Sequence, residues 1–307
     1  MARNKKWVHL AEYAGLRLAL GIFGALGVDR ASAVGGWLGR QIGPRVGVTN
    51  RARSNLALAM PELSPEEIER IVIGMWDNLG RTIAEYAHLQ RLIQPEERHR
   101  FNIQQAELLR ALAASGNGAV FVSGHFANWE LLPAVMQLEG LEGGSVYRHA
   151  NNPYVEQWLV DHRKKLTQAV QIPKGSSGAR VIVRLIRENK FVAMLTDQKM
   201  NDGLPAHFFS LPAMTPNAPA GIAVRYNIPI VPAWIERLEG VKFRVVVYDP
   251  IVAQPGADPA EEVKRITQEL NDFLEARIRE RPEQWLWLHD RWSAPARQRR
   301  RWVATDE

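Results

Sequence analysis

The sequence predicts an α/β fold: a central mixed, mainly parallel sheet flanked by helices, behind an N-terminal helical membrane anchor. Apolar runs of strand length, such as 119–123, 191–196, 228–235 and 243–247, alternate with helix-patterned segments. Polar candidates follow directly on such runs, where an open parallel sheet collects its ligands. The first 45 residues combine basic charge with Gly-rich, Trp-flanked apolar stretches.

Composition narrows the classes. A chain of 307 residues, 46% hydrophobic, can build a sizeable core, and a mean hydropathy of −0.24 argues against a polytopic membrane protein. The absence of cysteine removes disulfides, zinc–thiolate sites and an acyl-cysteine intermediate, and fits a reducing compartment. The formal charge of +6 is uneven. Residues 1–53 carry Arg3, Lys5, Lys6, Arg17, Arg30, Arg40, Arg45, Arg51 and Arg53 against Glu12 and Asp29, a net +7. Residues 291–307 add a net +3, so the middle is acidic by about 4 charges. Basic ends on an acidic body suit an anionic surface, lipid or nucleic acid.

In chain order, residues 1–45 read as the membrane-associating segment. Its uncharged stretch, 18–28, is 11 residues long, against about 20 for a full span. An interfacial or tilted anchor fits better, and Trp37 lies in a second apolar stretch. Residues 46–100 form a helical prelude. Ser64, Pro65 and Glu67 make a capping box for a helix to about His88, with Ile68, Ile71, Val72, Met75, Leu79, Thr82, Ile83 and Tyr86 in its apolar stripe. A polar connector ends at Arg100.

Residues 101–307 read as the catalytic domain with a basic tail. A helix over 104–114 turns at Asn117-Gly118 into the strand 119–123, and Gly124 breaks that strand ahead of His125. A helix starts near Asn128. The strand Ser145-Val146-Tyr147 delivers Arg148, Asn151, Asn152 and Pro153 follow at once, and residues 154–166 read as a helix. Strand 170–173 ends at Lys174, and a helix over 181–186 leads to strand 191–196 and Asp197-Gln198. Residues 201–216 read as a loop holding Phe208-Phe209, followed by a helix over 217–226, two strands and a helix over 258–281. Trp285, Trp287 and His289 alternate in an extended segment, and Arg297 to Trp302 reads as an interfacial tail.

His125 and Glu130 are five residues apart, about 140° around a continuous helix, so they meet only across a turn. In that geometry they form a general-base dyad, with the carboxylate orienting the ring. Arg148 suits phosphate or an oxyanion, Lys174 leads a possible anion nest, and Asp197 and Gln198 suit a substrate hydroxyl or a pairing with Arg148. Phe208 and Phe209 suit the lining of an acyl-chain groove. Ser123 lacks the preceding Gly of a nucleophile elbow, and no third ligand supports a metal.

These motifs together resemble the late (lauroyl/myristoyl) acyltransferases of lipid A biosynthesis, relatives of the glycerolipid acyltransferases. The resemblance lies in Gly124-His125 through Glu130, Tyr147-Arg148, Asn152-Pro153, Asp197-Gln198, the 282–291 block, and the patterns at 55–62 and 78–85. It spans nearly the whole chain. One departure is Phe208-Phe209-Ser210, where the family usually has Phe-Phe-Gly. The resemblance implies a glycerolipid acyltransferase-like fold and a fatty acyl group moved from an acyl carrier protein thioester to a hydroxyl on a hydroxyacyl chain of a lipid A precursor. It implies His125 and Glu130 as catalytic residues, substrate contacts from Arg148, Asn152, Lys174, Asp197, Gln198, Phe208 and Phe209, and neither metal nor cofactor. The expected place is the inner (cytoplasmic) membrane with the site facing the cytoplasm, and nucleic acid is not an expected partner. The same chemistry on another membrane lipid, an aminoacyl lipid or a phosphatidylinositol mannoside, remains an alternative. A non-enzymatic basic protein that binds membrane or nucleic acid explains the ends of the chain but not the polar residues after the strands.

Overall fold

The computed structural model describes residues 2–167 and 169–292. The tail from Arg297 to Trp302, expected to be an interfacial anchor, lies outside the described residues.

The chain opens with two helices, α1 (Ala2–Ala25) and α2 (Val28–Ile42). Among the described residues no helix is long and apolar enough to cross a membrane. The glycines of α2 have a local task. Gly35 and Gly39 press on the backbone of α4 (Pro65–Glu85) at Gly80 and Trp76, so closely that a Cβ at Gly35, Gly39 or Gly80 would strike a main-chain oxygen. Glycine here permits helix-to-helix contact. Between them lies α3 (Thr49–Ala59). The expected capping box opens α4: Ser64 Oγ accepts from Glu67 N at 3.3 Å, and Ser64 N donates to Glu67 Oε2 at 2.8 Å.

A short helix, α5 (Leu89–Leu92), leads to a strand that the sequence reading passes over, β1 (Phe101–Gln104). Four residues in which Phe101 is buried and Ile103 partly buried carry little periodic signal, and β1 lies at the sheet edge. The remaining elements are α6 (Ala106–Ser115), β2 (Val120–Ser123), α7 (Leu132–Leu138), β3 (Gly143–Tyr147), α8 (Pro153–Leu166), β4 (Val170–Pro173), α9 (Ser176–Arg187), β5 (Phe191–Leu195), β6 (Leu204–Phe208), β7 (Leu211–Thr215), α10 (Ala218–Tyr226), β8 (Ile230–Arg237), β9 (Phe243–Val247) and α11 (Pro259–Glu280).

Among the described residues seven strands form one sheet in the order β1-β9-β8-β2-β5-β3-β4. Every pairing is parallel except β8 with β9. The sheet is therefore mixed and mainly parallel, as expected. Strand β2 is central and fully buried, which explains its unbroken apolar run. The carboxyl ends of β2, β3, β4, β5 and β8 share one edge.

Residues 201–216, expected as a loop, form the antiparallel hairpin β6–β7. Its two-residue turn is Phe209-Ser210, with φ of 54° and 58°. Both values are positive, as a tight hairpin turn of the I′ kind requires. Such turns are normally marked by Asn-Gly or Asp-Gly, so Phe-Ser carries no turn signal in sequence. Tertiary packing holds the turn: Phe208 and Phe209 are fully buried against Trp285, Trp287 and Trp292. The two phenylalanines therefore belong to the core, where a groove lining is expected from sequence, and their rings fill the space between the hairpin and the closing block. Arg291 is buried beside them, bonded to Met214 O, Thr215 Oγ1 and Asn271 Oδ1.

Candidate active site

Strand register builds the centre of the site. Parallel β2 and β5 pair Ser123 with Leu195, and Thr196 N continues the ladder to Ser123 O at 3.0 Å. Two residues further along each strand, His125 and Asp197 come side by side. His125 Nδ1 lies 2.8 Å from Asp197 Oδ1, and His125 N donates to Asp197 Oδ2 at 2.9 Å. Trp285 Nε1 donates to the same carboxylate at 2.7 Å. Gly124 permits this approach, since a Cβ there would press on the Phe126 ring and on Asp197 Cβ.

The carboxylate of Asp197 is buried, which alone would raise its pKa. The opposing charge of His125, with hydrogen bonds from His125 and Trp285, overrides burial and holds it at about 2. An ionised Asp197 fixes the proton on Nδ1 and leaves Nε2 as the basic nitrogen. The carboxylate behind His125 is therefore Asp197, a correction to the pairing expected with Glu130. Glu130 stands in a 3₁₀ turn, Trp129–Leu131, and its oxygens lie 2.8 and 2.5 Å from the Arg163 guanidinium on α8. Among the described residues no hydrogen bond joins it to His125. Burial would raise the Glu130 pKa, but the Arg163 bonds and charge, with Tyr86 and Trp129, hold it below the usual range. Sequence reasoning gave no role to Arg163, whose one signal is a cation on the inward stripe of α8.

An apolar cavity of about 80 Å³ lies beside the dyad. Phe121, Leu132, Met136, Val146, Leu166 and Ala193 give its walls, and the Glu130–Arg163 pair also faces it. Trp129 joins cavity to base: it lines the one and meets the His125 ring edge-on at 5.2 Å. This lining suits an apolar group.

The bend between β2 and α7 is tied down from three sides. Ala127 has φ of 43°, an unfavourable conformation for a residue with a side chain. Its carbonyl accepts from Asn78 Nδ2 at 3.2 Å and Thr82 Oγ1 at 2.9 Å, both on α4. Its N–H donates to Gln284 O at 3.0 Å. Beneath it, Glu85 accepts from Arg237 at 2.5 and 2.9 Å, from Ser32 at 2.7 Å and from Asn128 at 2.8 Å. The patterns at 78–85 and 282–291 thus hold the loop that carries His125.

Other expected contacts are redistributed. Gln198 lies beside the base, with Nε2 at 2.7 Å from His289 Nε2 and 3.3 Å from His125 Nε2. Arg148 is exposed just past β3, and its charge, like that of Arg51, is felt at His289. It does not pair with Asp197, which is occupied by His125 and Trp285. Lys174 is exposed at the same sheet edge, its N–H bonded to Tyr147 O. Asn152 is not free for substrate: its Oδ1 caps α8, and its Nδ2 donates to His9 O and Glu12 Oε2 on α1. Among the described residues no group of three or more His, Asp or Glu is disposed to hold a metal ion.

A mainly parallel α/β sheet that presents a His–Asp pair beside an apolar cavity has the parts of an enzyme acting on a lipid-like substrate by acid–base chemistry. Comparison with known sequences gives the family. The model of the bacterial lipid A biosynthesis acyltransferases matches residues 2–294, and the chain belongs to that family. It is similar to the lipid A biosynthesis palmitoleoyltransferase of Escherichia coli (strain K12), 23% identical over 265 residues that cover 81% of this chain and 83% of that protein. It is equally similar, with the same identity and coverage, to a lipid A biosynthesis acyltransferase of Shigella flexneri. The chain is thus an acyltransferase of lipid A synthesis.

Proposed function

We propose that this acyltransferase moves a fatty acyl group from an acyl carrier protein thioester to a hydroxyl on a hydroxyacyl chain of a lipid A precursor, with His125 as general base. The observation that supports it best is the His125–Asp197 pair standing beside the apolar cavity. The acyl chain of the donor enters the cavity past Trp129, which leaves its thioester carbon near His125 Nε2. That nitrogen takes the proton of the acceptor hydroxyl as the oxygen attacks the thioester carbon. The C–O bond forms, the C–S bond breaks, and the departing thiolate receives the proton from the imidazolium. Asp197 stabilises the imidazolium in between. Glu130, bound to Arg163, shapes the cavity wall and supports catalysis through packing. Arg51 and Arg148 offer charge to the phosphates of the glycolipid at the rim.

The site works at the inner face of the cytoplasmic membrane in this reading. Trp7, Leu18, Ile22, Trp37 and Ile42 are exposed on α1 and α2, in company with Lys5, Lys6, Arg17 and Arg30. Exposed apolar side chains flanked by cations suit an anionic lipid surface. The test is purified full-length chain with an acyl carrier protein thioester and a lipid A precursor, read by product mass. A product heavier by one acyl group is expected with wild type and not with His125→Ala. Wild-type turnover in a folded His125→Ala chain overturns the mechanism.

A further inference from the structure

Gln198 is placed so that its amide nitrogen serves two rings. It lies 2.7 Å from His289 Nε2, and 3.3 and 3.4 Å from Nε2 and Nδ1 of His125. Near-equal distances to both nitrogens of one imidazole put the amide over the ring face, off the in-plane lone pair of Nε2. That lone pair stays open to an acceptor hydroxyl. A primary amide nitrogen donates and does not accept, so His289 Nε2 is the acceptor and its ring carries its proton on Nδ1. Burial, and then the charge of His125, favour this neutral form. The backbone of His289 is itself fixed: its carbonyl accepts from Asn55 Nδ2 at 2.6 Å and from Arg291 N at 3.1 Å.

We propose that Gln198 is a catalytic hydrogen-bond donor to the oxygen that carries the developing negative charge beside His125 Nε2. We propose with it that His289 is the positioning residue that aims this donor. The amide has two hydrogens. One is spent on His289, which prevents the amide from turning over and presenting its oxygen. The other remains for the oxyanion that forms as the acceptor oxygen bonds to the thioester carbon, and it is released when the C–S bond breaks. The inference rests on the acyl-transfer reading above and adds the second half of the site, which stabilises charge where His125 moves the proton.

The experiment is a double-mutant cycle on the full chain, with an acyl carrier protein thioester and a lipid A precursor as substrates. Gln198→Leu lowers kcat by about 10²–10³-fold, the usual cost of one such donor, with KM little changed. His289→Leu lowers kcat to a similar degree, and the double variant is no slower than Gln198→Leu, because His289 acts through Gln198. His289→Gln, which keeps an acceptor, restores most of the rate. Multiplying losses in the double variant, or a wild-type kcat in His289→Leu, overturns the proposal. Should His289→Leu fail to fold, His289→Lys takes its place: it offers donors only and is expected to be as slow as Gln198→Leu, and a His289→Lys chain as fast as wild type overturns the proposal. A wild-type chain that transfers no acyl group overturns the acyl-transfer reading itself, and this inference with it.

Discussion

His125 and Asp197 sit 72 residues apart in sequence and 2.8 Å apart in space because parallel β2 and β5 pair in a register that ends both strands level. The pair is thus a product of the sheet and not of a local motif. Removing the charge of its carboxylate tests its part in catalysis. Asp197→Asn keeps shape and hydrogen-bond reach but gives up the charge that holds the Nδ1 tautomer. The expected outcome is a fall in kcat of about 10²–10⁴-fold, the span of general acid–base contributions. Steady-state kinetics on folded protein checks it, and a loss below tenfold would leave another carboxylate in that role.

The same carboxylate carries a pH signature in stability. Its folded pKa of about 2 lies below the ordinary 3.8. A depressed carboxylate stabilises the folded state above its unfolded pKa, and that stability is lost as pH falls through the folded value. Asp197 therefore contributes roughly 2 kcal/mol above about pH 4, declining between pH 4 and pH 2. Denaturant unfolding of wild type minus Asp197→Asn across that window is expected to show this slope; parallel curves would refute it.

Glu130 gives the opposite result. Its bonds go to Arg163, and both side chains are largely buried. Glu130→Leu strands the Arg163 cation, at an expected cost of about 3 kcal/mol or more. The double change Glu130→Leu with Arg163→Met replaces the pair by apolar groups of similar reach and is expected to recover most of that loss. Thermal unfolding of the three chains decides between a packing role and a purely chemical one, since a catalytic Glu130 would leave Tm unmoved while kcat collapsed.

The sheet, the α4 capping box and most helices are legible in sequence, because apolar runs, Ser64-Pro65-Glu66-Glu67 and the turn residues all signal locally. The positions of His125, Arg148, Lys174 and Asp197 after their strands are legible for the same reason. The carboxylate behind His125 is not: Glu130 is near in the chain, while Asp197 is brought in by a crossover whose register no local pattern encodes. Asn152, expected at the substrate, instead caps α8 and holds α1, and its bonds to His9 and Glu12 have no sequence trace. The hairpin at 204–215 is hidden because its turn is built from Phe209 and Ser210, with burial supplying what turn chemistry does not.

That turn yields a stability prediction. Ser210 has φ of 58°, where a Cβ is strained, and glycine is the residue the family resemblance leads one to expect there. Ser210→Gly removes the strain while adding some freedom to the unfolded chain. The net expectation is a gain of about 0.5–1 kcal/mol, seen as a higher denaturant midpoint at constant slope. Ser210→Val, β-branched in the same conformation, is expected to lower it.

On α1, Trp7, Leu18 and Ile22 are each more than half exposed. Their spacings of 11 and 4 residues place all three within about 60° of one another around the helix. Lys6 and Arg17 flank this stripe on one side, about 80–100° away. A surface of this shape loses little packing when made polar. Trp7→Ser, Leu18→Ser and Ile22→Ser combined are therefore expected to leave Tm unchanged. If the stripe enters the head-group region, the triple variant gives up roughly 3 kcal/mol of apolar transfer, and its partition onto phosphatidylglycerol vesicles falls by about 100-fold. Cosedimentation with such vesicles measures it, and phosphatidylcholine vesicles are expected to bind the wild type more weakly because the flanking cations gain nothing there. A triple variant that cosediments like wild type would refute membrane contact through this face.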